Sequence, residues 1–99
     1  MRSYENILIF DSTIEEDAVE KELKEIENTI KQTSGEVLSI DKWGKKKLAY
    51  PIKKKDTGYY VLLNLKLEHK TLGDLELKYK LNQNILRYSI IRKEENAGV

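Results

Sequence analysis

The chain contains no cysteine, which rules out disulfides and thiolate metal sites and suits a reducing compartment. Its only histidine, His69, stands between Glu68 and Lys70. With no second imidazole and no thiolate to join it, His69 reads as the surface start of a helix, and no metal site is expected. It also has no serine or cysteine beside it in sequence, so no nucleophile-base-acid set is in view. Gly44, Gly58 and Gly73 are isolated, so there is no glycine-rich phosphate loop. Together these gaps argue against an enzyme, and no cofactor or small-molecule substrate is expected. No apolar run approaches the length that spans a bilayer. The first residues lead straight into a strand-like pattern, which predicts no secretory leader and a cytoplasmic protein without a membrane partner. The net charge is only +1 over 99 residues, so whole-chain charge does not call for a polyanionic partner.

What the chain does have is charge sorted by position. Between residues 15 and 27 lie Glu15, Glu16, Asp17, Glu20, Glu22, Glu25 and Glu27, opposed by Lys21 and Lys24 alone. Between residues 42 and 55 lie Lys42, Lys45, Lys46, Lys47, Lys53, Lys54 and Lys55, with no acid among them. Trp43 and Tyr50 sit between those lysines. Cations interleaved with aromatic faces suit a nucleic acid, which offers phosphates and flat bases together. The plainer reading is a solvated edge strand kept charged against edge-to-edge pairing. The intervening aromatics, Gly44 and the acidic segment elsewhere favour phosphate binding.

Around this stretch the pattern is strand, helix, strand, strand, helix, strand. Residues 4–10 alternate with both faces apolar, Leu8 and Phe10 against Ile7 and Ile9, as in a central strand. Ser12 with Glu15, or Thr13 with Glu16, predicts a capping box. Val19, Leu23, Ile26 and Ile30 then form one helical stripe, which Ser34-Gly35 should end through a left-handed glycine. Residues 36–52 make a long second strand with a bend at Gly44, placed at a sheet edge by Pro51. A turn over residues 53–58 leads to a third strand whose core set is Tyr59, Val61, Leu63, Leu65 and Leu67. Thr71 is the expected cap of a second helix carrying Leu72, Leu75 and Tyr79. Residues 85–92 form the fourth strand, with Tyr88 and Ile90 on one face. The domain spans residues 1–93, and residues 94–99 read as a frayed tail.

Right-handed crossovers turn this order into an α+β split β-α-β sandwich (βαββαβ), a four-stranded antiparallel sheet with two helices on one face. The other face then exposes Ile7, Ile9, Tyr60, Leu62 and Ile91, an apolar patch suited to a protein partner. Exposure there predicts that Ile9→Glu or Leu62→Glu leaves folding intact and removes that partner. Arg2, Arg87, Arg92 and Lys93 lie on or near the sheet as secondary phosphate candidates.

Two other modules share this topology. An acylphosphatase-like enzyme needs an arginine in the loop after the first strand, where this chain has Asp11-Ser12-Thr13. An RNA-recognition module needs stacking aromatics where Ile7 and Ile9 stand.

Tyr4-Glu5, the run Trp43-Gly44-Lys45-Lys46-Lys47-Leu48-Ala49-Tyr50-Pro51-Ile52, Gly58-Tyr59, and Leu81-Asn82-Gln83-Asn84-Ile85-Leu86-Arg87-Tyr88 together resemble the bacterial small-subunit ribosomal protein six family. The resemblance covers most of the chain. It implies the ferredoxin-like sandwich and a structural role in the small subunit, binding the central domain of small-subunit ribosomal RNA jointly with small-subunit ribosomal protein eighteen. The resemblance has two departures. Lys46 and Lys47 stand where family members often carry arginine, and Asn6 falls on the core face where an aliphatic residue is usual. The runner-up is a non-catalytic protein-protein adaptor using the apolar sheet face. The set expected to meet RNA is Arg2, Lys42, Trp43, Lys45, Lys46, Lys47, Lys53, Lys54, Lys55, Arg87, Arg92 and Lys93.

Overall fold

The structure, a computed structural model, describes residues 2–52 and 54–93. The expected tail and Lys53 lie outside them. Six elements follow in the order β1 (Arg2–Asp11), α1 (Glu16–Gln32), β2 (Glu36–Ile52), β3 (Lys55–Leu67), α2 (His69–Leu81) and β4 (Ile85–Lys93). The strands form one antiparallel sheet in the order β2-β3-β1-β4, so the two strands apolar on both faces are central. This is the expected βαββαβ arrangement.

Both helices cover one face. Val19, Leu23, Ile26 and Ile30 of α1 and Leu75 and Tyr79 of α2 pack on Leu8, Phe10, Tyr59, Val61, Leu63, Leu65 and Leu67. Burying each such aliphatic side chain is worth about 1.5–3 kcal/mol. The α1 stripe works because spacings of three and four return to the same side of a helix.

Asn6 also lies in this core and is fully buried. The Tyr79 hydroxyl donates to its Oδ1 at 2.6 Å, and its Nδ2 donates to the Ser89 carbonyl at 3.0 Å. The amide is therefore satisfied, which is how the core tolerates it where an aliphatic residue is usual.

The ends of the elements differ from expectation. No capping box forms at α1, whose N-cap is Glu15. The Thr13 amide and hydroxyl instead donate to Asp11 Oδ1, at 3.0 and 2.8 Å, and Ser12 Oγ meets Thr57 Oγ1 at 2.8 Å. These short polar side chains are committed to the loop. At the other end the left-handed residue is Ser34, φ 65°, rather than Gly35. The second helix begins at His69, ahead of Thr71. Thr71 falls four residues before Leu75 and eight before Tyr79, so it points into the core, where its hydroxyl has no partner among the described residues. The β2–β3 connection is tighter than expected, because Ile52 already pairs with Lys55.

Three register shifts bend β2, one of them between Lys42 and Gly44. Gly44 has φ 82°, and a Cβ there would meet nothing within 4 Å. Its glycine is required by backbone conformation alone. Gly44→Ala should cost about 1–2 kcal/mol, read from the urea midpoint at unchanged m-value.

Candidate nucleic-acid interface

β2 is an edge strand and is exposed along most of its length. Alternation sends its side chains to both sides of the sheet. Lys42 ion-pairs with Glu20 of α1, so it faces the helices. Lys45 does too, lining a hollow with Glu15, Glu16 and Tyr59 without an ion pair to either acid. Lys46 pairs in register with Gly58 on the opposite side, where its Nζ lies 5.3 Å from the centroid of the Trp43 ring. That is cation–π distance. The indole stacks on Tyr60, with centroids 6.3 Å apart and planes 17° apart, and its Nε1–H donates to Asp41 Oδ2 at 3.1 Å. Trp43 remains 40% exposed.

Lys45, Lys46, Lys47 and Lys54 are exposed and make no ion pair among the described residues. Lys42 is held by Glu20 and Lys55 by Asp11, at 3.7 Å in the second case. Asp11 is lowered below the usual carboxylate range by the Thr13 amide first, then the Thr13 hydroxyl, with Lys55 a lesser cause. Exposed pairs of this kind are worth about 0–1 kcal/mol, so an incoming phosphate can displace either carboxylate. Segregation of charge along the chain is thus incomplete in space, because α1 lies beside β2. The four unpaired ammonium groups border the strand on both sides, a geometry suited to following a phosphate backbone along the edge.

The remaining cations do not join this cluster. Arg87 lies opposite Ile9, and Lys93 pairs with Glu5 at 3.4 Å, both on the face away from the helices. Arg2 and Arg92 are on the helix side at the far end of the sheet. Tyr50 is 65% exposed.

The apolar patch is smaller than expected. Ile9 is buried with Leu48 and Leu86 in a second small core, flanked by half-buried Ile7, Ile52 and Tyr60. Leu62 is half-buried and Ile91 is 55% exposed. Leu48 could have been suspected from sequence, since an apolar residue alternates there with lysine at 46. Leu86 could not, because the bulge opposite Ile9 and Phe10 brings it to this face. Among the described residues no group of acids and histidine could hold a metal ion, and no helix is long and apolar enough to cross a membrane.

The family model described as Ribosomal protein S6 matches residues 3–92. The small ribosomal subunit protein bS6 of Thermoanaerobacter pseudethanolicus is 42% identical over 95 residues, covering 96% of this chain and all of the relative. That of Pseudarthrobacter chlorophenolicus is 39% identical over 99 residues, covering 100% of this chain and 98% of the relative. The crystal structure of 30S ribosomal protein S6 from Thermotoga maritima superposes with a TM-score of 0.86 at 26% identity, covering 93% of this chain and 87% of that one. An exposed cationic strand on a helix-backed sheet, a model spanning nearly every residue and relatives matched end to end agree: the chain belongs to the ribosomal protein S6 family, a structural and non-enzymatic component of the ribosome.

Proposed function

We propose that the chain binds the central domain of small-subunit ribosomal RNA together with small-subunit ribosomal protein eighteen, and that β2 carries the main phosphate contacts. Family membership already makes it part of the small ribosomal subunit, a cytoplasmic ribonucleoprotein engaged in translation, among ribosomal RNA and other ribosomal proteins. One observation carries the finer reading. Lys45, Lys46, Lys47 and Lys54 stand exposed along one edge with no carboxylate partner among the described residues. Lysine supplies point charges that neutralise phosphates without reading bases, so specificity comes from RNA shape and from the partner. Trp43, stacked on Tyr60, offers an aromatic surface beside those charges. On that same face, away from the helices, Ile7, Tyr60, Leu62 and Ile91, with Ile9 beneath, supply the apolar ground for the protein partner.

The test is salt dependence. Removing one phosphate-neutralising cation lowers the slope of log K against log salt by about 0.7–0.9. A Lys45/Lys46/Lys47→Ala variant, bound to a central-domain RNA fragment with protein eighteen present, should show a slope shallower by about 2–3 units. An unchanged slope removes these lysines from the interface. Affinity that barely responds to salt in the parent chain favours the adaptor reading instead.

A further inference from the structure

We propose a second phosphate-binding site on the helix side of the sheet, remote from the lysine strand and built by Arg2, Arg92 and His69. It relies on the ribosomal-RNA reading only for the source of its ligand.

The site follows from register. Tyr4 pairs with Arg92, and Arg2 precedes Tyr4 by two residues, so alternation puts both arginines on the face that carries the helices. Arg2 also pairs with Leu67, the last residue of β3, and α2 starts just beyond at His69. The chain therefore swings the head of α2 over the same corner. Arg2, Arg92 and His69 line one open hollow of about 460 Å³, floored by Tyr4 and Ile90. Neither arginine makes an ion pair among the described residues, and the one acid lining the hollow is Glu76.

Two guanidinium groups and an imidazole converge from three elements. A guanidinium fork matches a pair of phosphate oxygens. Donors arriving from several directions suit the tetrahedrally arranged oxygens of a phosphate better than a carboxylate, whose acceptor sites lie in one plane. The ligand is accordingly a phosphate group of a polynucleotide. Leu67 lies nine residue steps along β3 from Gly58, which pairs with Lys46. At about 3.4 Å per residue the two basic sites stand roughly 30 Å apart. No single phosphate bridges that span, so the two sites engage different phosphates of the RNA. Binding at two points raises avidity without strengthening either site alone.

His69 is the only histidine, so its imidazole NMR signals report the hollow without ambiguity. Inorganic phosphate titrated into the full chain, at ionic strength held constant with chloride, should shift those signals saturably. Arg2→Gln/Arg92→Gln should weaken that binding about tenfold or more. Arg92→Lys, which keeps the charge and loses the fork, should fall between. Lys45/Lys46/Lys47→Ala should leave the phosphate response intact, so the two sites stand or fall separately. With the RNA fragment, the arginine variant should flatten the salt slope independently of the lysine variant. All three residues are exposed, and an unchanged urea midpoint certifies folding. A linear, non-saturating response, or equal shifts in the double arginine variant, overturns the site. A hexaglutamate peptide that saturates the hollow at lower concentration than phosphate also overturns it, in favour of an acidic protein segment.

Discussion

Ile9→Glu is expected to lower the unfolding free energy by about 3 kcal/mol, while Leu62→Glu stays within about 1 kcal/mol. Both residues point away from the helices. Ile9, however, is only 9% exposed, beneath Leu48 and Leu86, whereas Leu62 is half open. The substitution forfeits about 1.5–3 kcal/mol of apolar burial and adds the cost of drawing a carboxylate out of water. Arg87, opposite in register, offers partial relief at surface ion-pair strength, about 0–1 kcal/mol. A second variant tests the packing without charge. A Cβ on Gly58 would lie 2.4 Å from Ile9 Cγ2, so Gly58→Ala overpacks this core and should cost about 1–3 kcal/mol. Ile9→Ala removes that methyl. The double variant Ile9→Ala/Gly58→Ala should therefore lose clearly less than the two single changes summed. Additive losses, or a neutral Ile9→Glu, would show that the second core does not hold the outer face.

Strand periodicity fixes which way a side chain points, and it placed Ile9 and Leu62 on the same face correctly. It says nothing of what lies over that face. Cover for Ile9 comes from two other strands, one of them shifted by a bulge that breaks the alternation of β4. The same division holds for the helices. The stripe of Val19, Leu23, Ile26 and Ile30 was legible because one helix period sets it. The caps were not, because Thr13 had a nearer competitor in Asp11, and Thr71 was claimed by the core. In the candidate site, the lysine run was visible as composition. That Glu20 would hold Lys42 was not, since it depends on α1 lying against β2. Likewise Arg2, His69 and Arg92 are far apart in sequence, and only antiparallel register and the start of α2 bring them to one corner.

Tyr79→Phe should destabilise the chain by about 1–3 kcal/mol at neutral pH, with a loss that shrinks in strong alkali. The phenol donates to Asn6 Oδ1 inside the core and packs at 5.4 Å from Tyr88. Phenylalanine keeps the ring but strands a buried acceptor, whose desolvation is then uncompensated. Asn6→Leu/Tyr79→Phe should recover part of the loss, because it removes both polar partners and leaves only the Ser89 carbonyl short of the Asn6 donor. Burial pushes the Tyr79 phenol above its ordinary value of 10.0. Tyr59 is raised as well, by burial first and then by the Glu16 carboxylate, to which its hydroxyl donates at 3.3 Å. In both cases the folded pKa exceeds the unfolded one. The unfolded chain therefore binds fewer protons above about pH 10, and stability falls as pH rises there, by up to about 1.4 kcal/mol per pH unit for each group. Below about pH 10 both phenols are neutral in either state and the contribution is fully present. Tyr79→Phe deletes one of these two groups, so its stability declines less steeply than that of the parent chain. Urea unfolding at about pH 7, 9, 10 and 11 should show the two curves converging. Parallel curves would mean that Tyr79 ionises in the folded protein as easily as in the unfolded one, and that the Asn6 bond is made by a phenol open to water.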